Sequence, residues 1–477
     1  IIQPNELIST LTFVVYEPST YFDIQSPQKS NTQSNYRELK QILEEMDTPL
    51  NILSPGSKIQ TMSTFDPLEE INNSEKILKS IKEWALSIKT KNDADSVKLT
   101  NELIKNYGKD LFIILFFSEK LNIINQFFKY INLTEDLNSI WNEISSAIVY
   151  CIEGNALVIN FDLSKYFKIM LSISNLALNH KELRLKYPDL LHKLRPLMMP
   201  SFAFSWIQLI SERHLIYILL SNNDGWNAMK NLMLDYISSV IYIADSNFQT
   251  LFDFIYKSLL RFILVLMHDF PSFIDIVSPE LVTFIPFNFT QLHNLLLSAC
   301  PRSFKLPKPI DALKDLTKVE NISEFSQIVQ PLKQLADELQ FSVTLSPTGF
   351  SGLASQLNKN SSNGAISAFI IFITNALLRH MTLEKILTAF QEKTYNSIHV
   401  YFIIKNLVEE LNYDSLIILI NVLVDQLRYP CLNTLFYYGT LLNLINDKTK
   451  EELNLDELIL HIVLERAITP PPRPWGL

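Results

Sequence analysis

The chain has 477 residues, 47% of them apolar and 19% charged, enough to bury a large core and too apolar for a disordered segment. Only 9 residues are glycine, against a usual share of roughly 7%. Glycine supplies the positive-φ positions of tight hairpins and phosphate loops, so a Rossmann fold, a P-loop enzyme and a β-sandwich are disfavoured. A net charge of −9 argues against a surface that coats nucleic acid throughout, while leaving room for a local basic patch.

Residues 1–75 are the least regular. Short helices over Leu7–Tyr16 and Tyr36–Met46 alternate with Ser-, Pro-, Gln- and Asn-rich loops. From Ser74 the helical period firms up: Ile77, Ile81, Trp84, Leu86 and Ile88 form one helix, and Leu103, Leu111, Ile114, Leu115 and Phe117 one or two more. Leu121–Ile131 and Leu137–Ile152 continue the alternation, and a helix within Leu157–His180 runs on into the basic stretch KELRLKYPDLLHKLRP. Phe202, Trp206, Leu209 and Ile210 then share a face opposite Ser205, Gln208 and Glu212. Asn222-Asn223-Asp224-Gly225 marks a turn, followed by helices over Trp226–Ala244 and Phe248–His268.

Pro301–Pro309, with three prolines, is expected to run extended, and 300–362 reads as a loop-rich segment with a short helix at Glu324–Leu339. Helices return over Ala365–Leu378, Leu383–Phe390 and Tyr395–Leu411. Next comes a strongly periodic helix in which Leu416, Leu419, Ile420, Leu423 and Leu427 share one face and Pro430 ends the run. Thr434–Leu444 and Leu453–Ile468 close the chain. Helices of roughly 12–18 residues with short polar breaks, and no fixed-length repeat, fit an all-α stack of irregular helix pairs.

The longest apolar runs, such as Leu111–Phe117 and Ile366–Leu378, fall short of the ~20 residues a membrane span needs. Cys151, Cys300 and Cys431 form no CxxC and no disulfide framework, as suits a reducing compartment. The IIQPNE start is not a signal peptide, so the sequons at Asn132 and Asn288 read as chance, and an initial Ile points to a fragment of a larger protein.

Catalytic constellations do not assemble. GFSG at Gly349 lacks the strand a nucleophile elbow needs. The adjacent carboxylate pairs, Glu44-Glu45, Glu69-Glu70, Glu409-Glu410 and Glu451-Glu452, diverge by about 100° on a helix and read as solvated surface. His268-Asp269 fits a helix end better than a catalytic dyad. His293 and Cys300 lack a second ligand pair for zinc, and no cofactor or metal is expected. Two stretches could carry binding. Lys181, Arg184, Lys186, Lys193 and Arg195 form a basic run able to meet RNA phosphates or an acidic peptide, although a solvated helix face is its ordinary use. Arg302, Lys305 and Lys308 project from the extended proline segment, whose ordinary use is a plain crossing between helices.

Five segments, in order, resemble the C-terminal domain of the Not-one scaffold family of the CCR–NOT mRNA deadenylation complex: LRPLMMPSFAFSWIQLISERHLI, LRFILVLMHDFPSFI, NFTQLHNLLLSACPRSFKLPKP, INVLVDQLRYPCLNTLFYYGTLLNLI and LERAITPPPRPWGL. The resemblance runs from about Phe161 to the end. It implies a HEAT-like helical-repeat superhelix (an α-solenoid) with a loop-rich insertion, and a non-catalytic platform, the deadenylases docking elsewhere on the scaffold. Implied partners are the Not-two and Not-three/Not-five subunits, which clamp the platform through extended segments and a dimer of Not-box domains. A peptide of the Not-four ubiquitin ligase docks just before this domain in some members, and animal members also recruit translational repressors. Cys431-Leu432-Asn433-Thr434 departs from the family's Asn-Ser-His-Thr, and the family continues for about two helices beyond PWGL. Arg428 and Tyr429, in the RYP motif, are candidate contacts, with a folding role favoured for the motif residues.

On this reading residues 1–150 are an N-terminal helical region containing a peptide-docking part, and 151–477 are the Not-one C-terminal domain. The expected function is scaffolding for mRNA decay, translational repression and transcription regulation, in the cytoplasm and nucleus. The alternative is a direct RNA-binding helical module using 181–195 and 302–308, or RNA bound by the assembled module. No membrane contact is expected.

Overall fold

The computed structural model describes residues 66–300 and 354–477, apart from short stretches at 90–92, 119, 132–136, 157–163, 245–248, 356, 359–362, 379–380, 393 and 447–453. The expectations for 1–65, the extended segment 301–309 and most of the loop-rich segment 300–362 lie outside these residues. Every regular element among the described residues is helical. The chain divides into two compact units, Ile1–Leu259 and Leu260–Leu477.

In the first unit, after one turn at Pro67–Glu70, the helices are α1 (Ser74–Ser87), α2 (Asp93–Phe117), α3 (Leu121–Ile131), α4 (Leu137–Ala156), α5 (Ser164–Asn179), α6 (Lys186–Lys193), α7 (Ala203–Ile210), α8 (Arg213–Leu220) and α9 (Trp226–Ala244). A boundary at 150/151 falls inside the continuous α4. Each helix packs on those one to three places along the chain: α2 on α1, α3 and α4, α5 on α3, α6 and α7, α9 on α6 and α8. This is the pattern of stacked helix pairs.

Apolar periodicity explains the elements. In α1 the stripe Ile77, Ile81, Trp84 is buried, while Leu86 is 66% exposed. Leu86 is two residues from Trp84, about 200° around the helix, so it cannot share the stripe. The α2 segment is two helices joined at Gly108, whose φ of 50° breaks the helical run. Glycine tolerates that conformation because it has no Cβ. The turn at 222–225 forms as expected, and a Cβ on Gly225 would overlap the backbone of Leu219. Ser205, placed by its polarity on the outer face of α7, is buried instead.

Large buried rings find partners for their polar atoms. The Trp84 Nε1–H donates to Thr100 Oγ1 at 3.0 Å and the Trp206 Nε1–H to the Leu191 carbonyl at 2.7 Å. The Tyr187 and Tyr236 hydroxyls reach the carbonyls of Met170 and Ile255, each at 3.3 Å. Such pairing removes most of the cost of burying a polar tip.

The division at 259/260 lies within α10 (Gln249–Asp269). The second unit goes on with α11 (Pro271–Thr283), α12 (Thr290–Leu297), α13 (Asn363–Leu378), α14 (Leu383–Gln391), α15 (His399–Glu410), α16 (Tyr413–Asp425), α17 (Leu432–Asn446) and α18 (Leu455–Ile468). Its hub is α16, which packs on α13, α17 and α18. Leu416, Leu419, Ile420 and Leu423 are buried as the periodicity predicts, and Ile418, Val422 and Val424 on the other sides are buried too. Asn421 and Asp425 are buried on it as well, so the middle of the helix is covered on its polar side too. Asn412 caps its start, Oδ1 accepting from the Ser415 N–H at 2.9 Å, and the helix ends at Asp425, before Pro430.

Candidate functional site

The RYP turn after α16 is an interior anchor. Arg428 is 3% exposed, and its Nη2 donates to Asp275 Oδ1 at 2.9 Å and to Ser278 Oγ at 3.0 Å, both on α11. Its guanidinium lies 5.3 Å over the ring of Tyr429, which is also buried. The Thr434 Oγ1 sits 2.8 Å from the Tyr429 carbonyl, closing the turn onto the start of α17. In the CLNT sequence Cys431 Sγ lies 3.4 Å from the same hydroxyl. The chain end returns here: the Gly476 N–H donates to the Arg428 carbonyl at 2.8 Å, and a Cβ at Gly476 would come within 2.8 Å of the Leu427 carbonyl oxygen. Arg428 and Tyr429, candidate contacts by sequence, therefore point inward and join α11, α16 and the tail.

Beside this lies a second polar cluster that sequence reasoning missed. Arg466, on the buried face of α18, pairs through Nη1 with Asp425 Oδ1 and donates from Nη2 to Asn421 Oδ1 at 3.1 Å. The Arg466 carbonyl accepts from Asn294 Nδ2 at 2.9 Å. His293 Nε2 is 3.0 Å from the Ile285 carbonyl, and its Nδ1 is 3.6 Å from Asp425 Oδ1. Burial pushes the Asp425 carboxyl up, but the Arg466 guanidinium and His293 outweigh it and hold the group below its usual range. Leu455, Ile459, Ile462 and Arg466 follow the i, i+4, i+7, i+11 pattern of one face. An arginine on an apolar stripe was the signal that a buried carboxylate must lie opposite.

The basic run is largely engaged within the first unit. The Arg184 Nε–H donates to the Leu178 carbonyl at 3.0 Å. Lys186 Nζ donates to Asn138 Oδ1 at 2.8 Å, and Asn138 in turn donates to Glu182 at 2.7 Å. Arg195 donates to the His192 carbonyl at 2.9 Å and approaches Asp235 at 3.8 Å, while His192 Nδ1 lies 2.7 Å from the other Asp235 oxygen. Burial raises the Asp235 carboxyl, with His192 and Arg195 only partly offsetting it. Lys181 and Lys193 are exposed. Arg302, Lys305 and Lys308 lie outside the described residues.

Other candidate groups are accounted for locally. His268 Nδ1 is 2.8 Å from the neighbouring Asp269 carboxylate at the end of α10. Cys151 is buried and its thiol is pushed up to about 12 by burial, and Cys300 to about 11 by burial and then Asp275. Both are poor nucleophiles. No group of three His, Cys, Asp or Glu able to hold a metal occurs among the described residues, and no described helix is long and apolar enough to cross a membrane. What this arrangement can do is present surfaces: packed helices, joined within the second unit by Arg428 and Arg466, with apolar side chains such as Tyr217 in the first unit and Phe402, Leu460, Leu464 and Ile468 in the second facing out.

The family model described as "CCR4-Not complex component, Not1" matches residues 170–477. The general negative regulator of transcription subunit 1 of Schizosaccharomyces pombe is 28% identical over 300 residues, 60% of this chain and 14% of that protein. Its Saccharomyces cerevisiae namesake is 26% identical over 307 residues, 60% of this chain and 15% of the other. The Caenorhabditis elegans CCR4-NOT transcription complex subunit let-711 is 25% identical over 354 residues, 67% and 13% of the two chains. The chain thus spans 13 to 15% of the length of these curated relatives. A solved Not1 C-terminal domain in complex with Not4 superposes with a TM-score of 0.67 at 21% identity, covering 85% of this chain and 94% of that one. A NOT1 superfamily homology domain from Chaetomium thermophilum gives 0.56 at 19%, covering 99% and 90%. At such identities the two structures speak for the fold, an all-α helical stack of the kind the periodicity predicts.

Proposed function

The chain belongs to the Not1 family of CCR4-Not complex components, and from that premise we propose that it is a non-catalytic scaffold. It docks the Not-two and Not-three/Not-five subunits, and a segment of the Not-four ubiquitin ligase, in mRNA deadenylation, decay and translational repression. The observation that carries this reading is the family match over 170–477, which takes in the RYP anchor and the whole second unit. Its polar motif residues, Arg428 and Arg466 foremost, are committed to internal bonds, leaving helix faces as the surface on offer. The work is placed in the cytoplasm and nucleus, with which three free cysteines agree.

A pull-down of the chain with Not-two and Not-three/Not-five C-terminal fragments, at low and high salt, tests the proposal. A complex that survives high salt is the expected result, because apolar docking is weakly screened. Failure to bind either fragment at low salt would overturn it. Direct RNA binding is less favoured, since Arg184, Lys186 and Arg195 already have partners within the protein. RNA affinity that falls steeply with salt, with no subunit binding, would reverse that preference.

A further inference from the structure

Helix α11 carries a buried proline in its interior, Pro279. Proline has no N–H, so the carbonyl four residues back, that of Asp275, loses the partner a helix normally gives it. A carbonyl in a packed helix must then find another donor. Two come to it. The Ser278 hydroxyl donates to the Asp275 carbonyl at 3.3 Å. Arg428 Nη2, from the turn after α16, approaches the same oxygen at 3.4 Å. That nitrogen also donates to Ser278 Oγ at 3.0 Å and to the Asp275 carboxylate at 2.9 Å. Ser278 is thus a relay, accepting from the guanidinium and donating to the carbonyl. A hydroxyl polarised by a charged donor is itself a better donor.

We propose that Pro279 and Arg428 are the two halves of a conformational latch. The proline opens one rung of the α11 ladder, and the guanidinium closes it from the RYP turn, so the helix beyond Ser278 holds only while that turn is seated. A plain ion pair with Asp275 would look different. Arginine meets a carboxylate that is its sole target with two parallel N–H bonds. Here Nε and Nη1 make no hydrogen bond, and Nη2 alone is aimed at the acceptors of one α11 turn. The RYP turn is in its turn held by the Thr434 hydroxyl at the Tyr429 carbonyl and by the Gly476 N–H at the Arg428 carbonyl. Loosening at the start of α17 or at the chain end therefore reaches α11 through Arg428. All of these groups belong to the second unit, and the latch stands whether or not the docking proposal does.

The test is native-state hydrogen exchange on the full chain, read on peptides covering Glu280–Phe284 with peptides of α15 as the internal reference. Arg428→Met, and the milder Arg428→Lys, which keeps the charge and gives up the fork, are each made beside Pro279 and beside Pro279→Ala. The alanine N–H gives the Asp275 carbonyl a helical partner of its own. Beside Pro279, Arg428→Met is expected to speed exchange at 280–284 about tenfold more than at α15, with Arg428→Lys and Ser278→Ala acting in the same direction. Beside Pro279→Ala, most of that excess is expected to vanish. An equal excess in both backgrounds would reduce Arg428 to a partner of the Asp275 carboxylate and overturn the latch. Acceleration at α15 as large as at α11 would overturn it too, because the unit would then open as one. If the methionine chain does not fold, the lysine chain carries the same comparison.

Discussion

Arg466→Met is the most informative single change. Methionine keeps much of the stem's volume but removes the charge, leaving Asp425 buried with His293 Nδ1 at 3.6 Å as its remaining polar neighbour and Asn421 Oδ1 without its donor. Breaking one side of a buried pair costs roughly 3–5 kcal/mol, a hundred-fold to several-thousand-fold loss of protection at a factor of ten per ~1.4 kcal/mol. Native-state hydrogen exchange on peptides covering α16 reads this unit by itself, which a global melt of a two-unit chain would not. The pH dependence supplies a sign. In the wild type the Asp425 carboxyl is held below its unfolded range, so its contribution is present above the unfolded pKa and is lost as pH falls through the folded one. In the variant burial dominates and the carboxyl rises, so the deficit against wild type is largest near neutrality and shrinks on acidification. Adding Asp425→Asn to Arg466→Met should restore part of the loss, because no charge is then stranded. A loss below about 1 kcal/mol, or a deficit independent of pH, would refute the argument that Arg466 neutralises Asp425.

Asp235→Asn tests the opposite case. Burial raises that carboxyl in the folded state, so ionised Asp235 opposes folding above its pKa and the penalty fades as pH falls; hydrogen-exchange protection of α6 and α9 in the variant should match or exceed wild type at pH 7 and lose that advantage on acidification. Leu419→Ala, in the fully buried centre of α16, should cost about 2–5 kcal/mol in the same exchange assay. Gly225→Ala puts a methyl against the Leu219 backbone and should destabilise the α8–α9 turn by roughly 1–3 kcal/mol, seen as faster exchange there and not in the second unit. Lys181→Gln/Lys193→Gln should leave subunit pull-down unchanged, and if it abolished binding the docking would be electrostatic after all.

Helix existence was legible because apolar spacing is a local property, and α9 begins and ends where its pattern does. The anchor helix was legible for the same reason, yet its importance lies in something periodicity does not carry: it is covered on every side, which depends on α13, α17 and α18 arriving from elsewhere in the chain. Leu86 and Ser205 show the limit at single residues, since one was assigned by type without counting its angle and the other by polarity without its neighbours.

The polar residues were the hard part. Arg428 meets Asp275, 153 positions away, and Arg466 meets Asp425, 41 away. No short-range pattern pairs them, and a charged residue in a motif looks the same whether it faces a partner or the core. One rule would have separated Arg466 from Lys181 and Lys193: a cation in register with an apolar stripe must be neutralised inside, whereas one off the stripe is free to meet solvent or a ligand; Arg428, in the turn beyond α16, escapes that rule. Applied to α18, the same rule finds Arg466 on the stripe and Leu460, Leu464 and Ile468 off it. A charge turned inward has found its counterion, here Asp425, which periodicity places on α16 but does not name as the partner.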